Sequence, residues 1–258
     1  MIELCKVSKR FVDNVVLDAV DLTVHDGETV ALLGPSGVGK SVLLKHIIGL
    51  IRPDSGDIVV DGLHVPALKR HELSELRSRM GYVFQAGALF DSMDVHENIR
   101  LGITNEDLYR DEDYCRDRVK ECLRLVNLAP DVAEKLPAEL SGGMRKRVGI
   151  ARAIAGKPKY LLYDEPTSGL DPMNADVVDA LIERLQNELG VTSVVVSHDV
   201  RGSFRVADRV ALLWQAKIRA VGTADEILAS RDPAVQQFLE RDLEMAVIQS
   251  ESDDGTKV

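Results

Sequence analysis

Residues Gly34-Pro35-Ser36-Gly37-Val38-Gly39-Lys40-Ser41 satisfy the pattern GxxxxGK[ST] at every fixed position. The glycines let backbone N–H groups turn inward around phosphates. A helix that starts here adds its unpaired N–H groups and its positive end. Lys40 is a cation with the reach for the outer phosphates of a nucleotide, and Ser41 supplies a hydroxyl for Mg²⁺. The apolar run Val30 to Leu33 precedes the loop, and Val42, Leu43, Leu44, Ile47 and Ile48 follow it at helical spacing. Strand, glycine-rich loop and helix in that order predict a nucleoside triphosphate site.

A second run, Tyr160-Leu161-Leu162-Tyr163, ends in the carboxylates Asp164 and Glu165. A strand buried on both faces in a parallel sheet carries such groups at its C-terminal end, where ligand crevices lie. Asp164 can hold Mg²⁺, directly or through water, and Glu165 can take a proton from an attacking water. Val191 to Ser197 is another buried-type strand, ending in His198. A lone histidine there is more often structural, but one beside strands that end in nucleotide chemistry favours a role in the site. Gln85 closes a fourth apolar strand, Met80 to Phe84, and taken alone is ordinary surface.

Two further features read two ways. Ser141, Gly142 and Gly143 open a helix whose N-cap is Ser141; it is either a capped helix with a basic stripe on its exposed side or an anion-binding helix end. Phe11, in the turn after the first strand, is either a hydrophobic staple on the sheet or a flat platform for a nucleobase.

The elements that must position these groups follow from periodicity. Met1 to Gly27 alternates as two strands, with a slip around Asp18-Ala19. Asp57 to Val60 is a short strand closed by Asp61-Gly62, and Ser74 to Arg79 a helix. From Ala86 the pattern becomes helical and charged, through Val95 to Ile99 and Tyr114 to Val126. Glu112, Asp113, Arg116, Asp117, Arg118, Lys120 and Glu121 there suggest a solvated face. This stretch is an inserted helical subdomain, reaching with its last helix to about residue 158. Asn174 to Glu188 is an amphipathic helix, Ala207 to Leu213 and Lys217 to Ala220 a terminal hairpin, and Ala224 to Ala229 and Val235 to Ala246 helical. One domain over 1–246 and a flexible tail over 247–258 are expected.

At 258 residues and 45% hydrophobic content the chain can bury a large α/β core. No run reaches the roughly 20 apolar residues of a membrane span, and no signal-peptide h-region opens it. A net charge of −10 disfavours a nucleic-acid partner. Cys5, Cys115 and Cys122 form no CxxC, and the seven-residue spacing of the last two puts them on one helix face as reduced packing residues.

Taken together the motifs resemble those of the ATP-binding-cassette (ABC) ATPases over nearly the whole chain. Walker A is GPSGVGKS (34–41), the Q-loop Gln85, the signature LSGGM (140–144), Walker B YLLYDE (160–165), the D-loop SGLD (168–171) and the switch histidine His198. The resemblance implies an α/β fold: a P-loop NTPase core of ABC ATPase type, with an N-terminal antiparallel β subdomain and an inserted helical subdomain. It further implies ATP and Mg²⁺ as cofactors. Phe11 would stack on adenine, and Lys40 would contact the β/γ-phosphates. Ser41, Gln85 and Asp164 would serve Mg²⁺. Glu165 would be the general base, and His198 would contact the γ-phosphate. Two copies would pair head to tail, Ser141, Gly142 and Gly143 closing over the other's ATP and Asp171 communicating across the interface. The signature ends in Met144 where glutamine is commonest, and hydrolysis is expected to survive that change.

Within the family, LSGGMRKRVGIARAIA, FQAGALFDSMDVHENI (84–99) and RDPAVQQFL (231–239) are similar to the ATPase subunit of Mla/Mce-type lipid transporters, once described as toluene-tolerance proteins. That implies a membrane permease, an Mce-domain lipid-binding protein and a peripheral place on the cytoplasmic face of the inner membrane. Another solute as cargo, a soluble cassette ATPase and a scarcely hydrolysing regulatory module are the competing classes. One Walker A in 258 residues and intact Lys40, Asp164, Glu165 and His198 argue against the last two. Leu89, Phe90 and Met93, just after Gln85, are expected to be exposed as a permease-docking surface; the competing reading makes them the subdomain's small core.

Overall fold

The N-terminal alternation folds as a hairpin of β1 (Ile2–Phe11) and β2 (Asn14–Val24) in the computed structural model, which describes residues 1–240. The slip expected at Asp18-Ala19 is a bulge. Register shifts between Val7↔Val20 and Lys9↔Leu17, Ala19 takes a φ of 48°, and its N–H donates to Ser8 Oγ at 2.9 Å. The next strand, β3 (Thr29–Leu33), belongs to a second sheet, while β4 (Ser55–Val60) and β5 (Leu63–His64) return to the first, ordered β2-β1-β4-β5.

The second sheet adds β6 (Met80–Val83), β7 (Tyr160–Asp164), β8 (Thr192–Val196), β9 (Arg209–Trp214) and β10 (Lys217–Gly222) in the order β10-β9-β3-β8-β7-β6. The β6, β7, β8, β3 and β9 pairings are parallel, and β9–β10 is the expected antiparallel hairpin. Every residue of β3, β7 and β8 is buried, as continuous apolar runs in a two-sided sheet require. Leu32 pairs with Val196 and Val196 with Asp164, while Val83 pairs with Tyr163. This register puts the C-terminal ends of four strands along one sheet edge, and the phosphate loop, Gln85, Asp164, Glu165 and His198 follow from those ends.

The helices are α1 (Lys40–Ile47), α2 (Arg70–Ser78), α3 (Val95–Arg100), α4 (Glu106–Arg110), α5 (Glu112–Leu125), α6 (Gly142–Ala155), α7 (Pro172–Leu189), α8 (Val200–Val206) and α9 (Ala224–Leu228). Residues 233–240 are also helical; the rest of the helix expected to Ala246, and the expected tail, lie outside the described residues. The short helices α4 and α8 were not anticipated from periodicity. Among the described residues no helix is long and apolar enough to cross a membrane.

Helices α3, α5 and α6 share one apolar cluster that also reaches β7 and α7, while α1 packs between the two sheets in another. Cys115 and Cys122 are buried in the first cluster as free thiols, and burial pushes the Cys122 thiol up to about 11. The charged face of α5 needs one correction. Arg118 is buried, and its guanidinium caps the C-terminus of α6 by donating to the carbonyls of Ala155 at 2.9 Å and Ile154 at 2.5 Å. The 86–99 segment needs another. Phe90 is 54% exposed, but Leu89 packs against the helical cluster and Met93 is half-buried. Buried Asn98 pins this loop, accepting from Phe90 N–H at 2.8 Å and donating to the carbonyls of Phe90 and Met93.

Candidate functional site

Gly34, at the end of β3, has a φ of 151°, and a Cβ there would lie 2.2 Å from the Leu213 carbonyl oxygen. Gly39, the N-cap of α1, has a φ of 115°, and its Cβ would meet Val16 at 2.6 Å. Only glycine lets the loop turn this tightly against β2 and β9. Gly37 sits at the loop's open side, where Val16, Ser36, Gly39, Lys40, Ser41, Gln85 and Glu165 line a hollow of about 330 Å³. Pro35 donates nothing, and its carbonyl accepts from Lys40.

Lys40 is 5% exposed; its Nζ donates to the Gly34 carbonyl at 2.7 Å and the Pro35 carbonyl at 3.1 Å, and lies 3.5 Å from Glu165 Oε1. Burial lowers its pKa, and the Glu165 and Asp164 carboxylates oppose that. Ser41 Oγ donates to Asp164 Oδ1 at 2.6 Å, and Tyr82 OH to Asp164 Oδ2 at 2.9 Å. A hydroxyl converging on a carboxylate is the hard-oxygen donor set that suits Mg²⁺. Ser41 and Asp164 fit that ion beside a triphosphate.

Glu165 follows β7 at a φ of 52°, its N–H on the Val196 carbonyl at 3.0 Å. Its Oε2 meets His198 Nδ1 at 2.5 Å. Burial pushes the Glu165 carboxyl up, but the His198 imidazole and the Lys40 ammonium outweigh it and hold the carboxyl below its ordinary value. The same contact raises the His198 pKa. Lys40, Glu165 and His198 thus form one chain of contacts at the sheet edge. Gln85 donates from Nε2 to Ser168 Oγ at 3.2 Å, and both line a second hollow with Gly142, Arg145, Lys146 and Leu170.

Ser141 is the N-cap of α6, its Oγ accepting from Met144 N–H at 3.2 Å. Gly143 lies so close to α7 that a Cβ would meet Asn174 Oδ1 at 2.8 Å. Asp171 caps α7 through the N–H and amide of Asn174, at 3.1 and 2.6 Å. Phe11, paired with Asn14 and 43% exposed, stands at the β1–β2 tip rather than in the hollow that Asn14, Val16, Gly37, Val38 and Gln215 line beside the phosphate loop. The basic stripe of α6 is not solvated throughout: Lys146 is buried and Arg152 grips the loop after Gln85. Tyr82 and Lys146 are site neighbours to which the motifs gave no role, and Ser168 opens the D-loop string without one. Tyr82 pairs with Leu162, two residues before Asp164, so pleat parity puts it on the face of Asp164.

Behind His198, α8 is tied to α7. Arg205 Nη2 bonds Asp176 at 2.9 Å and Asp179 at 2.8 Å, and a Cβ on Gly202 would lie 2.5 Å from Asp179 Oδ2 and 2.6 Å from Asp199 Oδ2. Burial, with the Asp199 and Asp176 charges adding to it and Arg205 opposing it, pushes Asp179 up to about 6. A carboxyl that holds its proton more tightly when folded favours the folded state below its unfolded pKa near 4. That advantage is lost as pH rises to about 6, by about 3 kcal/mol at most. Asp179→Asn is therefore expected to keep or raise the melting temperature at pH 7.5 and to flatten its decline between pH 4 and 6. A melting temperature lowered at both ends of that range would contradict this.

The sequence pattern of ABC transporters matches residues 17–168. The chain belongs to the ABC transporter family. Two solved members share this ABC ATPase's fold. A dimeric post-hydrolysis state of the ATP-binding cassette MJ0796, bound to ADP and Pi, is 32% identical with a TM-score of 0.79, over 87% of this chain and 99% of that one. Clostridium perfringens cbiO1, part of the transporter complex cbiONQ, is 31% identical with a TM-score of 0.80, over 89% and 91%. The ABC ATPase is 40% identical over 240 residues to the intermembrane phospholipid transport system ATP-binding protein MlaF of Escherichia coli K12, spanning 93% of this chain and 88% of the relative. It is also 40% identical over 238 residues to the probable ribonucleotide transport ATP-binding protein mkl of Mycobacterium tuberculosis H37Rv. That match spans 92% of this chain but 66% of the mycobacterial relative's length.

Proposed function

We propose that this chain hydrolyses ATP as a head-to-tail homodimer and thereby drives a membrane permease that moves phospholipid. The observation that carries the hydrolytic part is the Lys40–Glu165–His198 chain, 3.5 and 2.5 Å per contact, beside the Ser41–Asp164 pair. In this reading one cassette domain occupies residues 1–246, with the helical subdomain over about 86–158. The phosphate loop, Gly34 to Ser41, wraps the phosphates, Phe11 stacks on the base, and Lys40 turns from its own loop carbonyls to the β/γ-oxygens. Ser41 and Asp164 would hold Mg²⁺, with Gln85 serving it too, and the ion would supply positive charge against the phosphates. Glu165 takes a proton from water, the water oxygen bonds the γ-phosphorus, and the bond to the ADP oxygen breaks. His198 holds the Glu165 carboxylate in line and donates toward the γ-phosphate. Ser141, Gly142 and Gly143 of the second copy close the site, and Asp171 communicates across the interface between the two.

The phospholipid reading rests on the MlaF relative, of which the chain spans 88%, and on the strings at 84–99, 140–155 and 231–239. It brings an Mce-domain lipid-binding protein and a peripheral position on the cytoplasmic face of the inner membrane; no nucleic-acid partner belongs to it. The chain reconstituted with its permease in vesicles distinguishes the cargoes. Turnover that rises with phospholipid acceptor vesicles and ignores ribonucleotides supports lipid, whereas the reverse assigns the cargo named for mkl.

Permease docking falls to Phe90, whose ring is exposed while Asn98 fixes its backbone. Burying such a ring is worth about 1.5–3 kcal/mol, and interface energy concentrates in few residues. Phe90→Asp should therefore release the ATPase from detergent-solubilised permease with its melting temperature unchanged. Full co-purification of the folded variant would remove Phe90 from the interface.

A further inference from the structure

Three residues at three-residue spacing make one stripe along α6: Lys146, Gly149 and Arg152. The stripe lies against the backbone of residues 85–88. Arg152 donates to the Ala88 carbonyl at 2.8 Å and the Gly87 carbonyl at 2.9 Å. Gly149 lets this loop approach until a Cβ would lie 3.2 Å from Gly87 Cα. Lys146 donates to the Gln85 carbonyl, and the same Nζ lies 3.3 Å from the carbonyl of Glu165. Its side chain is nearly out of solvent, at 7% exposure.

Burying an ammonium is costly, and an apolar side chain could fill the same volume more cheaply. The two acceptors explain its presence. One carbonyl belongs to Gln85, two residues past the end of β6, the other to Glu165, the residue that follows β7. Glu165 stands at a φ of 52°, and its carbonyl also accepts from Ser168 N–H at 3.2 Å. A cation bridging both carbonyls fixes the distance between Gln85 and Glu165, and it sits five residues from Ser141 on the same helix end.

We propose that Lys146 is a positioning residue for hydrolysis, tying the signature helix to the backbone of Gln85 and Glu165 so that the Glu165 carboxylate is held in its productive pose. This rests on the reading of Glu165 as the base. Lys146 does not reach the phosphates; it acts through the residues it bridges.

The test uses the full chain, with kcat, KM for Mg-ATP and melting temperature measured for each variant. Lys146→Met is expected to lower kcat by about tenfold or more with KM within about twofold, the pattern of an interaction that matters in the transition state alone. Lys146→Arg, which keeps the charge and the donors, should restore kcat to within about threefold. In a Glu165→Gln background, adding Lys146→Met should slow turnover by less than about twofold, because residues acting as one unit are not additive. Lys146→Gln is read by the same criteria if the methionine variant does not fold. A kcat within twofold of wild type, a loss that arginine does not restore, or full multiplication of the two losses would overturn the proposal. Glu165→Gln alone at wild-type turnover would instead strike the base assignment on which it rests.

Discussion

Glu165→Gln should bind ATP as the wild type does and lose most of its turnover, because general-base help is worth roughly 10² to 10⁴ in rate. The substitution keeps the size of the side chain and a hydrogen-bonding partner for His198, so the 2.5 Å contact is perturbed less than by truncation. The glutamine cannot accept the water proton. ATP that binds and is not cleaved should hold two copies together, visible as faster sedimentation on adding Mg-ATP. Turnover within twofold of wild type would remove Glu165 from the role. A pH profile adds an independent check. His198 and Lys40 hold the Glu165 carboxyl below its ordinary value against burial, so the base is ionised throughout the neutral range. His198→Ala takes away the neighbour that contributes most to that lowering, and the acid limb of kcat should move to higher pH. An unmoved limb would mean that a different group titrates there.

The chemistry of this site was legible wherever a residue type could be tied to the end of an apolar run. Lys40, Ser41, Asp164, Glu165 and His198 are all of that kind, and β3, β7 and β8 are buried on both faces as their composition demands. What composition does not carry is strand order. The Leu32–Val196–Asp164 register, with β8 between β3 and β7, places Lys40 within 3.5 Å of Glu165. No local pattern encodes that neighbourhood. Tyr82 escaped notice for the same reason, since its bond to Asp164 depends on β6 lying beside β7.

The buried cations mark another limit. Lys146 and Arg118 stand in charged, helical stretches that read as solvated faces, yet their ends meet backbone carbonyls 61 and 36 residues away in sequence. A long side chain with an apolar stem and a charged tip has the same helical spacing whether its tip finds water or a carbonyl. The short helix α8 was missed because Gly202, a weak helix former, stands in its interior and reads as a break. Leu89 was expected to be exposed with Phe90 because a loop has no period at all; the cluster it packs against is drawn mostly from elements that follow it in the chain.

Ser141→Arg should abolish hydrolysis while leaving the nucleotide affinity of an isolated chain almost unchanged. Within one chain Ser141 Oγ accepts a single N–H, from Met144 at 3.2 Å, and losing that cap would cost about 1 kcal/mol. A loss limited to that cap would lower the melting temperature slightly and spare turnover. In the proposed head-to-tail dimer the same position would face the other copy's γ-phosphate, where a bulky guanidinium would obstruct the closure that completes the site. The two outcomes therefore separate a capping residue from a shared-site residue. Mixing carries the distinction further. Lys40→Ala disables the phosphate loop of its own chain, and Ser141→Arg disables the site of its neighbour. A heterodimer of the two gathers both lesions into one composite site and leaves the other with an intact Lys40 and an intact Ser141. Turnover should reappear in the mixture, approaching half the wild-type rate per heterodimer if one intact site works alone, although neither homodimer turns over. Ser141→Arg homodimers that hydrolyse ATP at the wild-type rate would leave Ser141 as nothing more than the N-cap of α6.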